Sequence, residues 1–442
     1  MPKTKDEVLA LIDENKVKYI RLWFTDILGQ LKGMSITRGE IEHVLDEGQG
    51  FDGSSVEGFV RIEESDLLAM PDLKTFRILP WSVNNEKVAL FICDVLKPDR
   101  TPFIGDPRYV LRRVLAKAAE KGWTFFCGPE IEYFYFAGKD NPCPLDEGGY
   151  FDYSTVSAGT KMRKIAASAL ETMDIPVECT HHEVAPSQHE IDLRYQEALV
   201  MADMVMFYRL TVKELALREG YYATFMPKPM FGENGSGMHV HQSLFEKERN
   251  IFFDPEEKKY HLSGEARHYI GGIFRHIKEI CLVLSQWVNS YKRLVSGYEA
   301  PVYICWGTRN RSALVRIPEY KPGKEKATRI ELRSPDPACN PYLTFAVMLA
   351  AGLKGIEEKI EPPSSVEMDI FRLSEKERKE LNIDCLPGSL EEAIREFEKS
   401  QLAKEILGEH IFHSLIANKK VEWDQYSVHV GKYELDKYLP WL

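Results

Sequence analysis

No Walker A sequence (G-x-x-x-x-G-K-[ST]) occurs anywhere in the 442 residues, so a nucleotide bound here is held by something other than a P-loop. None of the eight cysteines (Cys93, Cys127, Cys143, Cys179, Cys281, Cys305, Cys339 and Cys385) belongs to a C-x-x-C pair, and their gaps fit no zinc motif. Scattered single cysteines predict a reducing compartment, with thiols buried as small hydrophobes. The longest apolar stretch, near 343–353, is too short to span a bilayer. The opening MPKTKDEVLA reads as a charged helix start and not as a signal peptide. Basic charge is not in excess: 68 acidic against 57 basic residues leave a net charge of −11, which excludes a general nucleic-acid or anionic-membrane binder. There is no internal repeat and no low-complexity tract. The expectation is a soluble cytoplasmic protein with no membrane and no nucleic-acid partner.

What is present is an ordinary globular composition, 44% apolar and 28% charged, in a chain long enough for two or more domains. Four short segments stand out: Glu130-Ile131-Glu132, Glu190-Ile191-Asp192-Leu193-Arg194, His239-Val240-His241-Gln242-Ser243 and Arg329-Ile330-Glu331-Leu332-Arg333. Each alternates charged or imidazole side chains with apolar ones, the period of a strand with one polar and one oily face. If these strands share a sheet, its front is crowded with carboxylates, imidazoles and guanidinium groups. Such crowding suits hard divalent cations beside a phosphate.

Thr4-Lys5-Asp6-Glu7 has the spacing of a capping box and predicts a helix over 5–11. Strands are predicted over 17–24, 31–36, 76–79 and 87–95, a helix over 38–46, and a Gly/Ser-rich loop over 48–58. Together these make a small α+β unit. The Pro-containing stretch 98–107 is the expected boundary, giving domains 1–103 and 104–442. Asp106-Pro107 forms an N-cap and N1 pair for a helix over 108–120. Beyond it, strands over 125–136, 177–182, 187–195, 222–226, 237–244 and 328–333 mix with helices over 159–173, 196–219, 266–289 and 340–359. This pattern predicts α+β with a mainly antiparallel sheet covered by helices. From Ser374 onward the chain reads as helical and charged, ending in Tyr433, Leu435, Tyr438, Leu439, Trp441 and Leu442.

Singly, the remaining segments are ambiguous. Phe134 and Phe136 continue the face of Glu130 and Glu132 toward a core, and burying two like charges there is costly without cations. The run 181–190 (HHEVAPSQHE) is either a polar loop or two carboxylates, Glu183 and Glu190, converging from the flanks of a turn. The glycine-rich approach 232–237 leads into the H-x-H strand, and glycine lets backbone come close to a ligand. Arginines 293, 309, 311, 316, 329 and 333 form either a solvated basic face or a seat for carboxylate and phosphate oxygens.

Taken together and in order, these motifs closely resemble type I glutamine synthetase over nearly the whole chain. The likeness is carried by Phe51-Asp52-Gly53-Ser54-Ser55, Asn234-Gly235-Ser236-Gly237-Met238-His239-Val240-His241, Arg309-Asn310-Arg311-Ser312 and Glu331-Leu332-Arg333-Ser334-Pro335-Asp336. The resemblance implies a small N-terminal β-grasp-like domain and a large catalytic domain with a curved, mainly antiparallel sheet flanked by helices. It implies ATP-dependent ligation of ammonia to glutamate, with two or more Mg²⁺ or Mn²⁺ ions per site. Glu132, Glu183 and Glu190 match the ligands of one ion, and Glu130, His239 and Glu331 those of the second. Arg293, Arg311 and Arg333 match the arginines near glutamate and the transferred phosphoryl group, and Arg316 one near the phosphates. Asn234 and Gly235 match glutamate contacts. Glu178, Tyr195, His241 and Ser243 match positions lining the nucleotide. Glu299 matches the flap over glutamate, and Asp52 the proton acceptor for ammonium, reaching in from a neighbouring subunit. A homo-dodecamer of two hexameric rings with shared active sites is implied, together with a nitrogen-regulatory protein as a candidate partner.

No tyrosine occurs between Tyr342 and Tyr426, so control by adenylylation is not expected. The chain instead resembles the subtype inhibited by glutamine, in which an arginine matching Arg61 takes part. Two rivals stand beside this reading: a sister ligase joining glutamate to a polyamine or other larger amine, and a non-catalytic structural or regulatory relative. All six candidate metal ligands are present, which disfavours the latter.

Overall fold

The computed structural model describes residues 4–56, 66–82, 86–140, 142–154, 156–308, 310, 312–368 and 370–442. Thr4 and Glu7 cap each other reciprocally and open the first helix, Lys5–Glu14, as their spacing predicts. The N-terminal sheet contains β1 (Tyr19–Thr25), β2 (Leu31–Thr37), β3 (Gln49–Asp52), β4 (Asp66–Pro71), β5 (Arg77–Ile78) and β6 (Val88–Leu96). Its order is β2-β1-β6-β4-β3, with β5 also on β6, and only β1 and β6 run parallel.

Alternation along β1 and β6 divides the side chains between two cores. Ile20, Leu22, Phe24, Ala89, Phe91 and Cys93 point into a core private to this unit. Trp23, Val88, Leu90 and Ile92 point into the large core of the rest of the molecule. Polar ties reinforce the seam. Asn340 Nδ2 donates to Asp26 O at 3.0 Å and Gln286 Nε2 to Leu28 O at 2.8 Å. Buried Arg108 donates to Asp72 and Asp94 from the N-terminal unit and to Asp203 of the helix Ala198–Arg218.

The second sheet has eleven strands: β7 (Trp123–Phe136), β8 (Val177–His182), β9 (Gln188–Leu193), β10 (Gln196–Glu197), β11 (Tyr222–Thr224), β12 (Met238–Glu246), β13 (Arg249–Asn250), β14 (Tyr303–Gly307), β15 (Ala313–Arg316), β16 (Ile330–Leu332) and β17 (Asp384–Cys385). Its main path is β17-β14-β15-β16-β12-β7-β9-β8, antiparallel except for β14 with β15. Ile131, Tyr133 and Tyr135, on the back of β7, share the main core with the helices Pro107–Glu120, Ala198–Arg218, Gly264–Leu284 and Pro341–Glu358. Glu130 and Glu132 alternate to the front, and their face continues into buried Phe134 and Phe136, whose rings stack at 5.7 Å. The fold is α+β. No helix among the described residues is long and apolar enough to cross a membrane.

Several expectations need correcting. The loop expected over 48–58 includes β3 and a 3-10 turn, Gly53–Val56, because Gln49–Asp52 pairs antiparallel with β4 despite its glycine. Strands β4, β14 and β15 were not expected; each is short and lacks a clean polar–apolar alternation. The helix expected over 266–289 ends at Leu284, where Ser285 leaves helical geometry (φ −144°, ψ 72°). The C-terminal helix Gln401–Ser427 is broken at Gly408 (φ 79°, ψ 160°). All eight cysteines are free, but Cys143, Cys179 and Cys385 are exposed, so only the other five behave as small hydrophobes.

Candidate active site

The four alternating segments lie on adjacent strands, in the order β16-β12-β7-β9. Register aligns their polar members. His241 pairs with Glu331, His239 with Glu130, Glu130 with Asp192, and Glu132 with Glu190. Cross-strand neighbours on one face approach within side-chain contact, so pairing alone gathers these groups.

One group is Glu130, His239 and Glu331, whose ligand atoms lie within 4.8 Å of one another. His239 Nδ1 is 3.3 Å from Glu130 Oε2 and 3.8 Å from Glu331 Oε1. His241 Nδ1 accepts from Arg329 Nε at 3.1 Å, which leaves its Nε2–H to donate to Glu130 Oε1 at 2.7 Å. Glu331 is fully buried and accepts from Arg316 Nε and, at 2.7 Å, from Arg333 Nη1.

Glu183 and Glu190 do converge across their turn, but they group with His181: its Nε2 is 2.7 Å from Glu183 Oε1 and 3.8 Å from Glu190 Oε1. Glu132 stands slightly apart. Its Oε2 accepts from Gln188 Nε2 at 2.8 Å and Gly237 N at 2.9 Å, while Oε1 lies 3.9 Å from His239 Nε2. Glu132 thus sits between the two groups.

The electrostatics divide the site, the side of Glu132 and Glu190 being short of positive charge. Burial and the neighbouring Glu183 push the Glu132 carboxyl up to about 8. Burial and Asp192 drive Glu190 well above the ordinary carboxylate range. Burial opposes ionisation of Glu130 too, but His241 and His239 outweigh it and hold that carboxyl well below its usual value. Burial and Arg333 lower His239, keeping its ring neutral and able to bind a cation. Carboxylate-rich sets with one imidazole fit hard divalent ions better than zinc.

Two cavities flank these groups. One, of about 320 Å³, is lined by Asn234, Gly235, Arg293, Glu299, Arg316 and Arg333 together with Glu130, Glu132, Glu183, Glu190 and His239. The other, of about 240 Å³, is lined by Glu178, Tyr195, His241 and Ser243, with Arg329. Glu130 and Asp192 line both. The glycine-rich approach is required by space: a Cβ on Gly235 would lie 2.4 Å from Pro227 O, and one on Gly237 would lie 2.5 Å from Arg293 Nη2. Buried Arg293 spends its guanidinium on the carbonyls of Arg333, Ser334 and Pro335, at 2.8–3.2 Å, and so fixes the segment that carries Arg333. Glu299 is exposed at the cavity and held at φ 56°, an uncommon region for a non-glycine residue.

Asp52 ends β3 in the N-terminal sheet and lines neither cavity of this chain; its Oδ1 accepts from Ser54 N at 2.9 Å. Arg61, Arg309 and Arg311 lie outside the described residues. Sequence reasoning gave no role to His181, Gln188 or Phe151. The Phe151 ring stacks on His181 at 4.5 Å between centroids. The only signal was density of ligand types in 181–190; nothing pointed to Phe151. A larger cavity of about 610 Å³, lined by Leu31, Met206, Trp287 and Tyr426 among others, shares no lining residue with these two.

Comparison with known proteins bears on this geometry. Residues 16–98 match the family model described as glutamine synthetase, beta-Grasp domain, and residues 104–438 match glutamine synthetase, catalytic domain. The chain is 51% identical over 440 residues to a glutamine synthetase of Thermotoga maritima, covering 99% of each chain. It is 49% identical over 443 residues to one of Methanosarcina mazei, covering 99% of this chain and 98% of that one. Among solved structures, a GmaS/ADP complex superposes with a TM-score of 0.88 at 30% identity, with complete coverage of both chains.

Proposed function

The chain belongs to the glutamine synthetase family, and on that premise we propose that it ligates ammonia to the γ-carboxylate of L-glutamate, converting ATP to ADP and phosphate through γ-glutamyl phosphate. The observation that carries this reading is the shared wall: Glu130, a candidate cation ligand, lines both the cavity with the glutamate-side residues and the cavity with the nucleotide-side residues. A phosphoryl group passing from one cavity to the other crosses the cation ligands.

Two or more divalent cations, Mg²⁺ or Mn²⁺, held by Glu130, His239 and Glu331 and by Glu132, Glu183 and Glu190, supply neutralisation of the phosphate charge. Arg333, Arg311 and Arg316 stabilise the negative charge that spreads over the phosphoryl oxygens. Asn234, Gly235 and Arg293 position glutamate. Glu178, Tyr195, His241 and Ser243 hold the nucleotide. Ammonium is not a nucleophile; Asp52, supplied by a neighbouring subunit, takes its proton as ammonia attacks the acyl phosphate. Glu299 closes over the site and excludes the water that would hydrolyse that intermediate. This division of labour gives 1–103 the proton acceptor and 104–442 the metals and substrates.

An active site shared between chains requires an oligomer, and a cytoplasmic dodecamer of two hexameric rings meets that need. The exposed Tyr433, Leu439, Trp441 and Leu442 then serve as the inter-ring contact. Arg61 takes part in feedback inhibition by glutamine, and a nitrogen-regulatory protein remains a candidate partner. A γ-glutamyl-amine ligase would use the same cations and arginines. Purified enzyme supplied with ATP, glutamate, Mg²⁺ and either ammonium, alkylamines or polyamines separates the two. Ammonium is expected to give glutamine and phosphate in equal amounts; product formed only from the larger amines would overturn the assignment.

A further inference from the structure

The hairpin of β8 and β9 carries a set of ligand types that the proposed reaction does not use. Cys179 and His181 are two apart on β8 and so share a face. Across the hairpin Cys179 pairs with Asp192, and His181 with Glu190. The ligand atoms of Cys179, His181 and Asp192 all lie within 4.8 Å of one another. The Cys179 thiol donates to Asp192 Oδ2 at 2.6 Å. Two buried polar atoms of this trio, His181 Nδ1 and Asp192 Oδ1, have no hydrogen-bond partner among the described residues. Orphaned buried polar atoms call for an explanation, and a missing ion is one.

The chemistry of the trio differs from that of its neighbours. Oxygen-rich groups select hard cations, whereas a thiolate with an imidazole selects zinc and related ions. Three protein ligands leave the fourth tetrahedral position open, unlike the closed four-ligand sets of structural zinc sites. We propose that Cys179, His181 and Asp192 form an additional cation site, selective for zinc-class ions over Mg²⁺. On binding, the Cys179 thiol releases its proton to solvent and the sulfur–metal bond forms. His181 also belongs to the group with Glu183 and Glu190, and Asp192 lines both cavities. A zinc-class ion here therefore adds positive charge beside Glu183 and Glu190, opposes the hard cation they hold and inhibits turnover; that consequence rests on the function proposed above, whereas the coordination does not.

Cobalt(II) titrated into the intact enzyme in excess Mg²⁺ tests the site. The expected result is a thiolate-to-cobalt charge-transfer absorption in the near ultraviolet, stoichiometric with the chain, lost in Cys179→Ser and kept in Cys143→Ser and Cys385→Ser, the other exposed cysteines. Absence of that band, or its persistence in Cys179→Ser, would overturn the proposal. Should Cys179→Ser not fold, Asp192→Asn supplies the same decision: zinc affinity should fall by more than about tenfold, the loss that even an outer-sphere partner brings, and unchanged affinity would reject the site. Glutamine formation measured in parallel keeps the two claims apart. Enzyme that makes glutamine with Mg²⁺ before cobalt is added, yet gives no cobalt band, rejects the extra site alone; a band on enzyme already inactive with Mg²⁺ alone rejects the assigned reaction alone.

Discussion

Replacing Glu132 with glutamine should flatten the pH dependence of Mn²⁺ binding. Without a cation, burial and Glu183 push the Glu132 carboxyl up to about 8. A proton and the cation then compete for one group, so affinity rises as pH rises. For a single group titrating near that value, competition weakens binding about 100-fold at about pH 6 and about twofold at about pH 8. The net gain over that span is about fiftyfold, or about 2 kcal/mol. Glu190, raised by burial and Asp192, adds a second proton and carries the rise further. Isothermal titration of Mn²⁺ over this range, in two buffers of different ionisation heat, reads both affinity and protons released. Glu132→Gln should bind Mn²⁺ more weakly throughout, with up to one proton fewer released and a shallower slope. A wild-type affinity that is flat between about pH 6 and pH 8, or a slope unchanged in the variant, would refute the reasoning.

Glu331→Ala should weaken metal-nucleotide binding and also cost about 3–5 kcal/mol in denaturant titrations, because buried Arg333 loses its carboxylate; unchanged metal dependence would count against its role as a ligand. Asp52→Ala should bind ATP normally yet lose most glutamine synthesis, and near-normal synthesis would remove Asp52 from the mechanism. Arg108→Met should cost about 3–5 kcal/mol in chemical denaturation, because buried Asp203 loses its cation at the seam between the two units and keeps only the Tyr342 hydroxyl, while Asp72 keeps Arg112. Deleting 428–442 should dissolve the double ring in sedimentation; an unchanged assembly would reject the tail as an inter-ring contact.

Much of the site was legible because strands write their two faces into alternate residues. Glu130 and Glu132, His239 and His241, and Glu331 declared a polar front before any pairing was known, and the sheet does bring them side by side. Local signals were as readable: the Thr4–Glu7 cap and the Asp106-Pro107 start act within one turn of chain. Register was not readable. The shift between Val177 and Cys179 places His181 opposite Glu190, and that puts an imidazole with Glu183 and Glu190. Long-range approaches were equally hidden. Phe151 reaches His181 from a loop thirty residues away, and Arg293 donates to carbonyls forty residues on. Strand β3 was masked by its own glycine, since only its partner β4 makes it a strand.

The central claim is that separate strands cage two divalent ions where the cavities meet. Diffraction from crystals grown with Mn²⁺ and ADP, recorded at a wavelength where manganese scatters anomalously, tests it most directly. The account predicts two anomalous peaks, one within bonding distance of Glu130, His239 and Glu331, the other within bonding distance of Glu132, Glu183 and Glu190. Well-ordered nucleotide with no peak beside Glu132 or His239 would contradict it.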